Sequence, residues 1–243
     1  MVSKADWEIA PIHIDPDTTE KLFFTDHQWD TIEAAAARIM PTDRDPGARE
    51  ARVIVFIDRY LSGIDYLYAA ADGSGFLQLA DKDAHAARAR NANMQRLYRD
   101  GIHELDKKAR ELRAPSFKEA SEQIQDEVLE QISGAPKPVP VSLTSMEVYY
   151  SRLQGNTDEG KSFFDTLCLH VRQGFYGDPV YGGNKDQMGW KTVGFVGPKN
   201  LKDTMDGTYS TAEFFVQEYD WEDLVPGLKH SQDHTSKQEQ GGQ

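Results

Sequence analysis

Residues 53–63 read Val-Ile-Val-Phe-Ile-Asp-Arg-Tyr-Leu-Ser-Gly, and this stretch indicates the fold class most directly. Its apolar side chains recur at positions i, i+3, i+4, i+7 and i+8, which are occupied by Val53, Phe56, Ile57, Tyr60 and Leu61. That spacing puts them on one face of an α-helix, because a helix repeats about every 3.6 residues. Gly63 follows where a helix C-terminus favours glycine. The stretch therefore predicts an amphipathic helix packed against other elements.

Helical patterns lie on both sides of this stretch. Upstream, Thr25-Asp26-His27-Gln28 reads as a capping box that opens a helix, and Pro41 ends it. Downstream, a long pattern runs from about Asp81 to Arg113. Its apolar stripe consists of Met94, Leu97, Tyr98, Ile102, Leu105, Ala109 and Leu112. The patterns in the first half of the sequence therefore predict three helices.

The second half continues in the same way. Ser116-Phe117-Lys118-Glu119 reads as another capping box, and it predicts a helix that continues to Gly134. Beyond a proline-rich connector at 134–142, two more helical patterns are marked by Met146, Tyr149, Tyr150 and Leu153, and by Phe164, Leu167, Cys168 and Val171. No alternation of strands and helices appears. We therefore predict an all-α fold: an irregular bundle of about six helices with a long glycine- and aromatic-rich C-terminal loop.

Domain limits follow from the same patterns. Residues 1–22 predict an irregular N-terminal arm, residues 23–228 a helical domain, and residues 229–243 a disordered polar tail. No apolar stretch approaches the roughly 20 residues needed to cross a bilayer. The first residues carry no export pattern and no Arg-Arg pair, so we expect a cytoplasmic location. The alternative is the periplasm, reached with a signal since removed or by export with a partner.

Charge and cysteine content exclude several classes of protein. The formal net charge is −13, so the chain repels nucleic acid and anionic membrane surfaces. Its single cysteine, Cys168, allows neither an intramolecular disulfide nor a cysteine-based metal site. The C-x-x-C-H motif for covalent haem is absent. We expect Cys168 to be a buried thiol that acts as a small hydrophobe.

The sequence contains no motif that identifies catalytic, cofactor-binding or metal-binding residues. The Walker A, G-x-G-x-x-G, G-x-S-x-G and H-E-x-x-H motifs are all absent. His170 is the one candidate, since it precedes a glycine-rich region where a helix C-terminus would favour its charged form. The alternative is that His170 is a capping or surface histidine without a functional role.

Residues 174–200, here called the glycine-rich segment, do not fit a helix bundle. They contain seven glycines together with Phe175, Tyr176, Tyr181, Trp190 and Phe195. Long loops in compact domains are usually functional or disordered, and disordered segments are poor in aromatic residues. We therefore expect a contact with a partner or ligand. The alternative is a loop that folds back onto the end of the bundle.

The segment also carries a family resemblance. Gly174-Phe-Tyr-Gly-Asp-Pro-Val-Tyr-Gly-Gly-Asn184, then Gly189-Trp190-Lys191 and Gly194-Phe195-Val196-Gly197-Pro198, resembles the signature of the gluconate 2-dehydrogenase subunit 3 family. Phe23-Phe24-Thr25, Ala34 to Pro41, Asp45 to Ala48, Phe56 to Leu61 and Phe117 to Ile132 resemble its helices. The resemblance covers about residues 22–200.

The resemblance implies a non-catalytic accessory subunit. Its partner would be a large flavoprotein of the glucose–methanol–choline type, which holds FAD and oxidises sugars, glucosides or sugar acids. Many such complexes add a multihaem cytochrome c as a third subunit. Family small subunits often carry a twin-arginine signal, which this sequence lacks. The chain itself would hold no cofactor.

We expect the glycine-rich segment to contact the flavoprotein near its substrate entrance. The predicted interface residues are Phe175, Tyr176, Asp178, Pro179, Tyr181, Gly182, Gly183, Asn184, Trp190 and Lys191. Tyr176, Tyr181 and Trp190 would anchor it, and Asn184 would hydrogen-bond across the interface. Three alternatives stay open: a folding escort that leaves the mature flavoprotein, a free-standing sugar-binding module, and a stand-alone helical enzyme using His170.

Overall fold

The computed structural model describes residues 9–10, 15, 17–63, 66–69, 76–79, 81–134 and 160–195. All of them belong to one compact unit formed by residues 1–70 and 74–197. The predicted helix at 146–153, the proline-rich connector beyond Gly134 and the polar tail at 229–243 lie outside the described residues. Those three expectations stay predictions.

Six α-helices are present among the described residues, and they confirm the helical fold class. They are α1 (Asp26–Ile39), α2 (Val53–Leu61), α3 (Asp81–Glu111), α4 (Glu122–Ser133), α5 (Phe163–Tyr176) and α6 (Met188–Thr192). The predicted capping box of α1 is confirmed: the N–H of Thr25 donates to Oε1 of Gln28 over 3.0 Å, and the Thr25 hydroxyl accepts from the N–H of Gln28. Gly63 follows α2 with a φ of +74°, as expected of a glycine just past a helix.

A small antiparallel sheet accompanies the helices and was not predicted from the sequence. It consists of β1 (Ile9–Ala10), β2 (Tyr66–Ala69) and β3 (Phe76–Gln78), in the order β1-β3-β2. β1 lies within the arm that was predicted to be irregular throughout, so that prediction was wrong at these two residues. Strands this short leave no alternating pattern to detect.

The start of α4 differs from the prediction. The Ser116 hydroxyl does hydrogen-bond to Glu119 over 2.6 Å, but this contact closes a turn, and α4 begins at Glu122 with Ser121 as its cap. The reason lies at Phe117. Its N–H donates to the carboxylate of Asp106 over 2.9 Å, and its carbonyl accepts from the side chain of Gln125 over 2.9 Å. These contacts to buried partners hold Phe117 outside the helix.

The core is formed by the apolar faces that the helical periodicity indicated. Ile57 and Leu61 of α2, Tyr98 and Leu105 of α3, and Leu167 of α5 have no exposed surface. Gly101 lets α3 approach α5 closely, because a Cβ there would lie 2.2 Å from the ring of Phe163. Large side chains thus fill the space that glycine leaves open.

Two buried carboxylates fix the chain that flanks these helices. Asp58 on α2 accepts the backbone N–H groups of Leu22, Phe23 and Phe24 at 2.7, 3.1 and 2.8 Å. Asp106 on α3 accepts the N–H of Phe117 and also contacts Nε2 of His27 at 2.6 Å. Hydrogen bonds from several donors satisfy a carboxylate that would otherwise be costly to bury.

Candidate functional site

The glycine-rich segment is a folded structure up to Phe195, its last described residue. Its first three residues form the last turn of α5, which continues to Tyr176. Two 3₁₀ turns follow at Pro179–Tyr181 and Lys185–Gln187, and α6 comes directly after them. The expectation of a long loop without regular structure was therefore wrong for the described part.

The segment folds back onto the beginning of α2. The N–H of Lys185 donates to the carbonyl of Ala51 over 3.1 Å. A Cβ at Gly182 would lie 3.2 Å from the backbone nitrogen of Phe56, and Gly182 has a φ of +87°, which favours glycine. The Lys185 ammonium group also pairs with Asp17, and this hydrogen bond raises the pKa of Lys185. The segment is thus attached both to α2 and to the N-terminal arm.

Two glycines allow contact between backbone segments. A Cβ at Gly183 would lie 2.3 Å from the carbonyl oxygen of Gly174, and one at Gly189 would lie 2.0 Å from that of Phe175. Real Cβ atoms do not approach carbonyl oxygens so closely, so any side chain at either position would force the backbone apart. Because these two positions lack side chains, α6 and the turn before it can pack directly against the last turn of α5.

Asn184 connects the two ends of the segment. Its side-chain amide donates to the carbonyl of Gly177 over 2.7 Å, and its Oδ1 accepts the N–H of Gly189 over 2.9 Å. The residue has no exposed surface. Both amide atoms are therefore used within the chain, which contradicts the expectation that Asn184 hydrogen-bonds across an interface.

Trp190 is a second internal anchor. It is 6% exposed, and its indole N–H donates to the carbonyl of Tyr176 over 2.7 Å. The ring of Phe195 meets it edge-on, with centroids 5.3 Å apart. Phe175 is also buried, at 2% exposure. The predicted interface residues Phe175, Gly182, Gly183, Asn184 and Trp190 therefore support the segment from inside.

The backbone of the segment is conformationally strained. Asn184, Asp186 and Gln187 have φ values of 41°, 54° and 58°, in the left-handed region that side chains disfavour. Each such residue costs about 1–2 kcal/mol, least for asparagine. Strain of this kind persists where the surrounding structure fixes it, and it is concentrated at functional sites.

Asp178 and Pro179 begin a tight turn in the segment. Oδ1 of Asp178 accepts the N–H of Val180 over 2.9 Å, and Pro179 opens the 3₁₀ turn. Asp178, Pro179 and Tyr181 are partly exposed. Whether they contact a partner stays a prediction.

The exposed side of the segment includes three large apolar side chains. Tyr176, Val193 and Phe195 are 41%, 59% and 46% exposed, and they are three of the four large hydrophobic residues that are exposed in the described part of the chain. Lys191, the last predicted interface residue, is exposed beside them. Val193 and Phe195 were not among the predicted interface residues. No helical periodicity marks these two residues, because α6 ends at Thr192.

His170 lies in the core, so the expectation of a capping or surface histidine was wrong. α5 continues six residues beyond it, and the side chain has no exposed surface. Nδ1 lies 2.8 Å from the hydroxyl of Tyr98, whose ring stacks on the imidazole at an angle of 5°. The ring of Tyr60 packs on it with centroids 4.7 Å apart. This arrangement is that of a structural histidine.

Cys168 is partly buried on α5. Burial, together with the negative charge of Asp165 and against a smaller lowering by Arg172, raises the pKa of its thiol from 9.0 to about 11. The thiol is therefore neutral near pH 7 and a poor nucleophile. This agrees with the expectation of a small hydrophobic side chain.

The part of the chain that the structure describes contains no group of three or more histidine, cysteine or acidic side chains that could hold a metal ion. None of its helices is long and apolar enough to cross a bilayer.

Comparison with known proteins identifies the family. The family model for gluconate 2-dehydrogenase subunit 3 matches residues 26–197, which is most of the chain and includes α1 to α6. No curated protein and no solved structure matches the chain. The chain belongs to the gluconate 2-dehydrogenase subunit 3 family.

Proposed function

We propose that this chain is a non-catalytic accessory subunit of a FAD-dependent dehydrogenase that oxidises sugars, glucosides or sugar acids. Its partner is the large flavoprotein of the glucose–methanol–choline type, which holds FAD and carries out the chemistry. The small subunit binds the native flavoprotein, stabilises it by mass action and contributes to the shape of its substrate entrance. The family name supports the subunit role, since it describes one part of a dehydrogenase complex.

The observation that carries this proposal is the division of the glycine-rich segment into an inner and an outer side. The inner side uses buried residues such as Asn184 and Trp190 to fix a strained backbone. The outer side presents Tyr176, Val193 and Phe195, each more than 40% exposed. Aromatic residues on a rigid support are typical anchors of protein interfaces, because little side-chain entropy is lost on binding.

The exposed residues are therefore the ones to test as partner contacts. An alanine at Trp190 would remove an indole that is buried and hydrogen-bonded, so the variant would lose folding stability whatever its role in binding. Tyr176 and Phe195 do not share this problem to the same degree. Asp178, Pro179, Tyr181 and Lys191 complete the proposed contact surface.

Co-expression with the flavoprotein tests the proposal. A tagged small subunit should recover a yellow complex with flavin absorbance, and the complex should reduce a dye in the presence of a sugar. The isolated small subunit should be colourless and inactive. Recovery of the small subunit alone, with a flavoprotein that is stable and active without it, would contradict the proposal.

The alternatives give different results in the same experiment. A folding escort would bind newly made flavoprotein and would be absent from the mature, active enzyme. A sugar-binding module would be stabilised against thermal unfolding by a sugar without any partner. Activity from the isolated chain would indicate an enzyme using His170, although that side chain is buried.

Composition and compartment of the complex are part of the proposal. A multihaem cytochrome c would be the electron acceptor in complexes that include a third subunit, and its haem bands would appear in the same spectrum. We propose a cytoplasmic location for this complex, with co-export to the periplasm as the alternative. Fractionation of cells that express both subunits distinguishes the two.

A further inference from the structure

The N-terminal half of α3 carries positive charge in a chain that is otherwise strongly acidic. Residues 84–99, here called the basic segment, contain Arg88, Arg90, Arg96 and Arg99 and no acidic residue. The whole chain has a formal net charge of −13. The sign of the charge therefore reverses locally over about four and a half turns of helix.

The basic segment begins in a part of α3 that has little contact with the core. Between Asp81 and Asn93 only Ala84 is buried, and the next buried residue is Met94. This stretch is about 20 Å long at 1.5 Å per residue. Helices of about a dozen residues are marginal in water without packing. The exposed alanines at positions 86, 89 and 92 leave room for close approach by another surface.

Two side chains hold the basic segment in place against α2. The amide of Gln95 donates to the carbonyl of Leu61 over 2.7 Å, and that of Asn91 donates to the carbonyl of Tyr60 over 3.4 Å. These contacts also satisfy carbonyls at the C-terminal end of α2. The arginines are therefore presented from a helix with a fixed position.

The arginines are exposed and suited to binding carboxylates. Arg90 and Arg96 form no ion pair with any residue that the structure describes, and Arg99 lies over the ring of Phe23 at 5.0 Å. A guanidinium group can bind a carboxylate through two parallel hydrogen bonds. The basic segment thus fits a protein surface rich in aspartate and glutamate.

From these observations we infer that the basic segment docks on an acidic surface of the flavoprotein subunit. This inference rests on the proposed function and names a second contact, separate from the glycine-rich segment. A protein partner is favoured over nucleic acid or a membrane, because an extended polyanion would also meet the acidic remainder of the chain. A local acidic patch matches a basic helix of limited length. Its charge would speed association more than it would slow dissociation.

The test compares two charge-reversal variants of the small subunit in binding to the flavoprotein. Arg90→Glu/Arg96→Glu changes the basic segment, and Arg44→Glu/Arg49→Glu is the matched control with the same change in net charge at exposed positions elsewhere. At about 0.05 M salt, we expect the first variant to bind about tenfold or more weakly, mainly through slower association. The control should change affinity less than about twofold, and the difference should shrink at about 0.5 M salt.

The outcomes separate this inference from the proposed function. If wild-type protein binds the flavoprotein and both variants bind equally well, the inference is overturned while the subunit role stands. If wild-type protein does not bind at all, the proposed function fails and the inference fails with it. A third outcome is that Arg90→Glu/Arg96→Glu no longer binds anionic vesicles but still binds the flavoprotein like wild type. That result would also overturn the inference, and it would indicate that the basic segment binds a membrane. Circular dichroism and thermal unfolding confirm that both variants are folded.

Discussion

The helical core and the glycine-rich segment are stabilised by different contacts. In the core, large apolar side chains such as Ile57, Leu105 and Leu167 are buried on periodic helix faces. In the segment, backbone approaches backbone at Gly183 and Gly189, and one side-chain amide joins two turns. The core depends on volume and hydrophobicity, whereas the segment depends on the absence of side chains at defined positions.

This difference separates residues that maintain the structure from residues that are available to a partner. The buried amide and glycines of the segment are fully used within the chain. Its exposed residues Tyr176, Val193 and Phe195 have large apolar surface in contact with solvent. Substitutions on the inner side should therefore change folding, and substitutions on the outer side should change binding.

The largest effect is expected from Gly189→Ala. The new Cβ would lie 2.0 Å from the carbonyl oxygen of Phe175, so α6 must move away from α5. We expect a loss of about 3 kcal/mol or more in the free energy of unfolding, as for other severe overpacking. Urea denaturation measures it.

Gly194→Ala is the matched control for that substitution. Gly194 has a φ of +70°, but a Cβ there would meet nothing within 4 Å. Only the left-handed backbone should cost stability, about 1 kcal/mol. Equal losses in both variants would show that backbone conformation, and not close approach, makes Gly189 necessary.

A smaller effect is expected from Asn184→Ala. It leaves the carbonyl of Gly177 and the N–H of Gly189 without their partner, which costs about 2–3 kcal/mol when such groups are buried. The loss should not depend on pH. A variant as stable as wild type would show that the amide does not hold the segment together.

Asn184→Asp tests the same two hydrogen bonds through the pH dependence of the variant's stability. An ionised carboxylate can accept from Gly189 but cannot donate to Gly177, whereas the protonated acid can do both. The pKa of this aspartate should therefore be higher in the folded state than in the unfolded state. Its stabilising effect is then present at low pH and is lost as the pH rises through the folded-state pKa. Denaturation at about pH 4 and pH 8 should show the variant closer to wild type at the lower pH.

The smallest effect is expected at Cys168, which lies on α5 in the helical core. Because its pKa is raised to about 11, the thiol should react slowly with a thiol reagent near pH 8 and readily after unfolding. The unfolded thiol ionises at lower pH than the folded one, so its contribution to stability falls as the pH rises from 9.0 to about 11. Rapid labelling of the folded protein would contradict this.

The sequence predicted the helices well where apolar periodicity and capping acted together. α1, α2 and α5 form where they were predicted, and α2 buries Val53, Ile57 and Leu61 of its predicted face. Phe56 and Tyr60 of the same predicted face are only partly buried. It failed at Phe117, because the competing partner, Asp106, lies on another helix and leaves no local signal. It also could not show that Asn184 points inward, because the carbonyl of Gly177 and the N–H of Gly189 become its partners only after the segment folds back.

For the candidate site, the sequence indicated the glycine-rich segment but did not separate its buried residues from its exposed ones. Glycine and aromatic content indicated a segment with a special purpose. Periodicity cannot separate buried from exposed aromatics in a chain without regular structure. Trp190 and Phe195 therefore looked equivalent, although one is 6% and the other 46% exposed.

The most direct test of the account is the affinity of the flavoprotein for Tyr176→Ala/Phe195→Ala. Leu22→Ala is the control, since Leu22 is also a large exposed hydrophobic residue, 43% exposed and outside the segment. The account predicts that the double variant binds about tenfold or more weakly with little change in thermal stability, as for interface anchors, and that the control binds like wild type. Unchanged affinity in the double variant, or an equal loss in Leu22→Ala, would contradict the claim that the outer side of the glycine-rich segment is the docking surface.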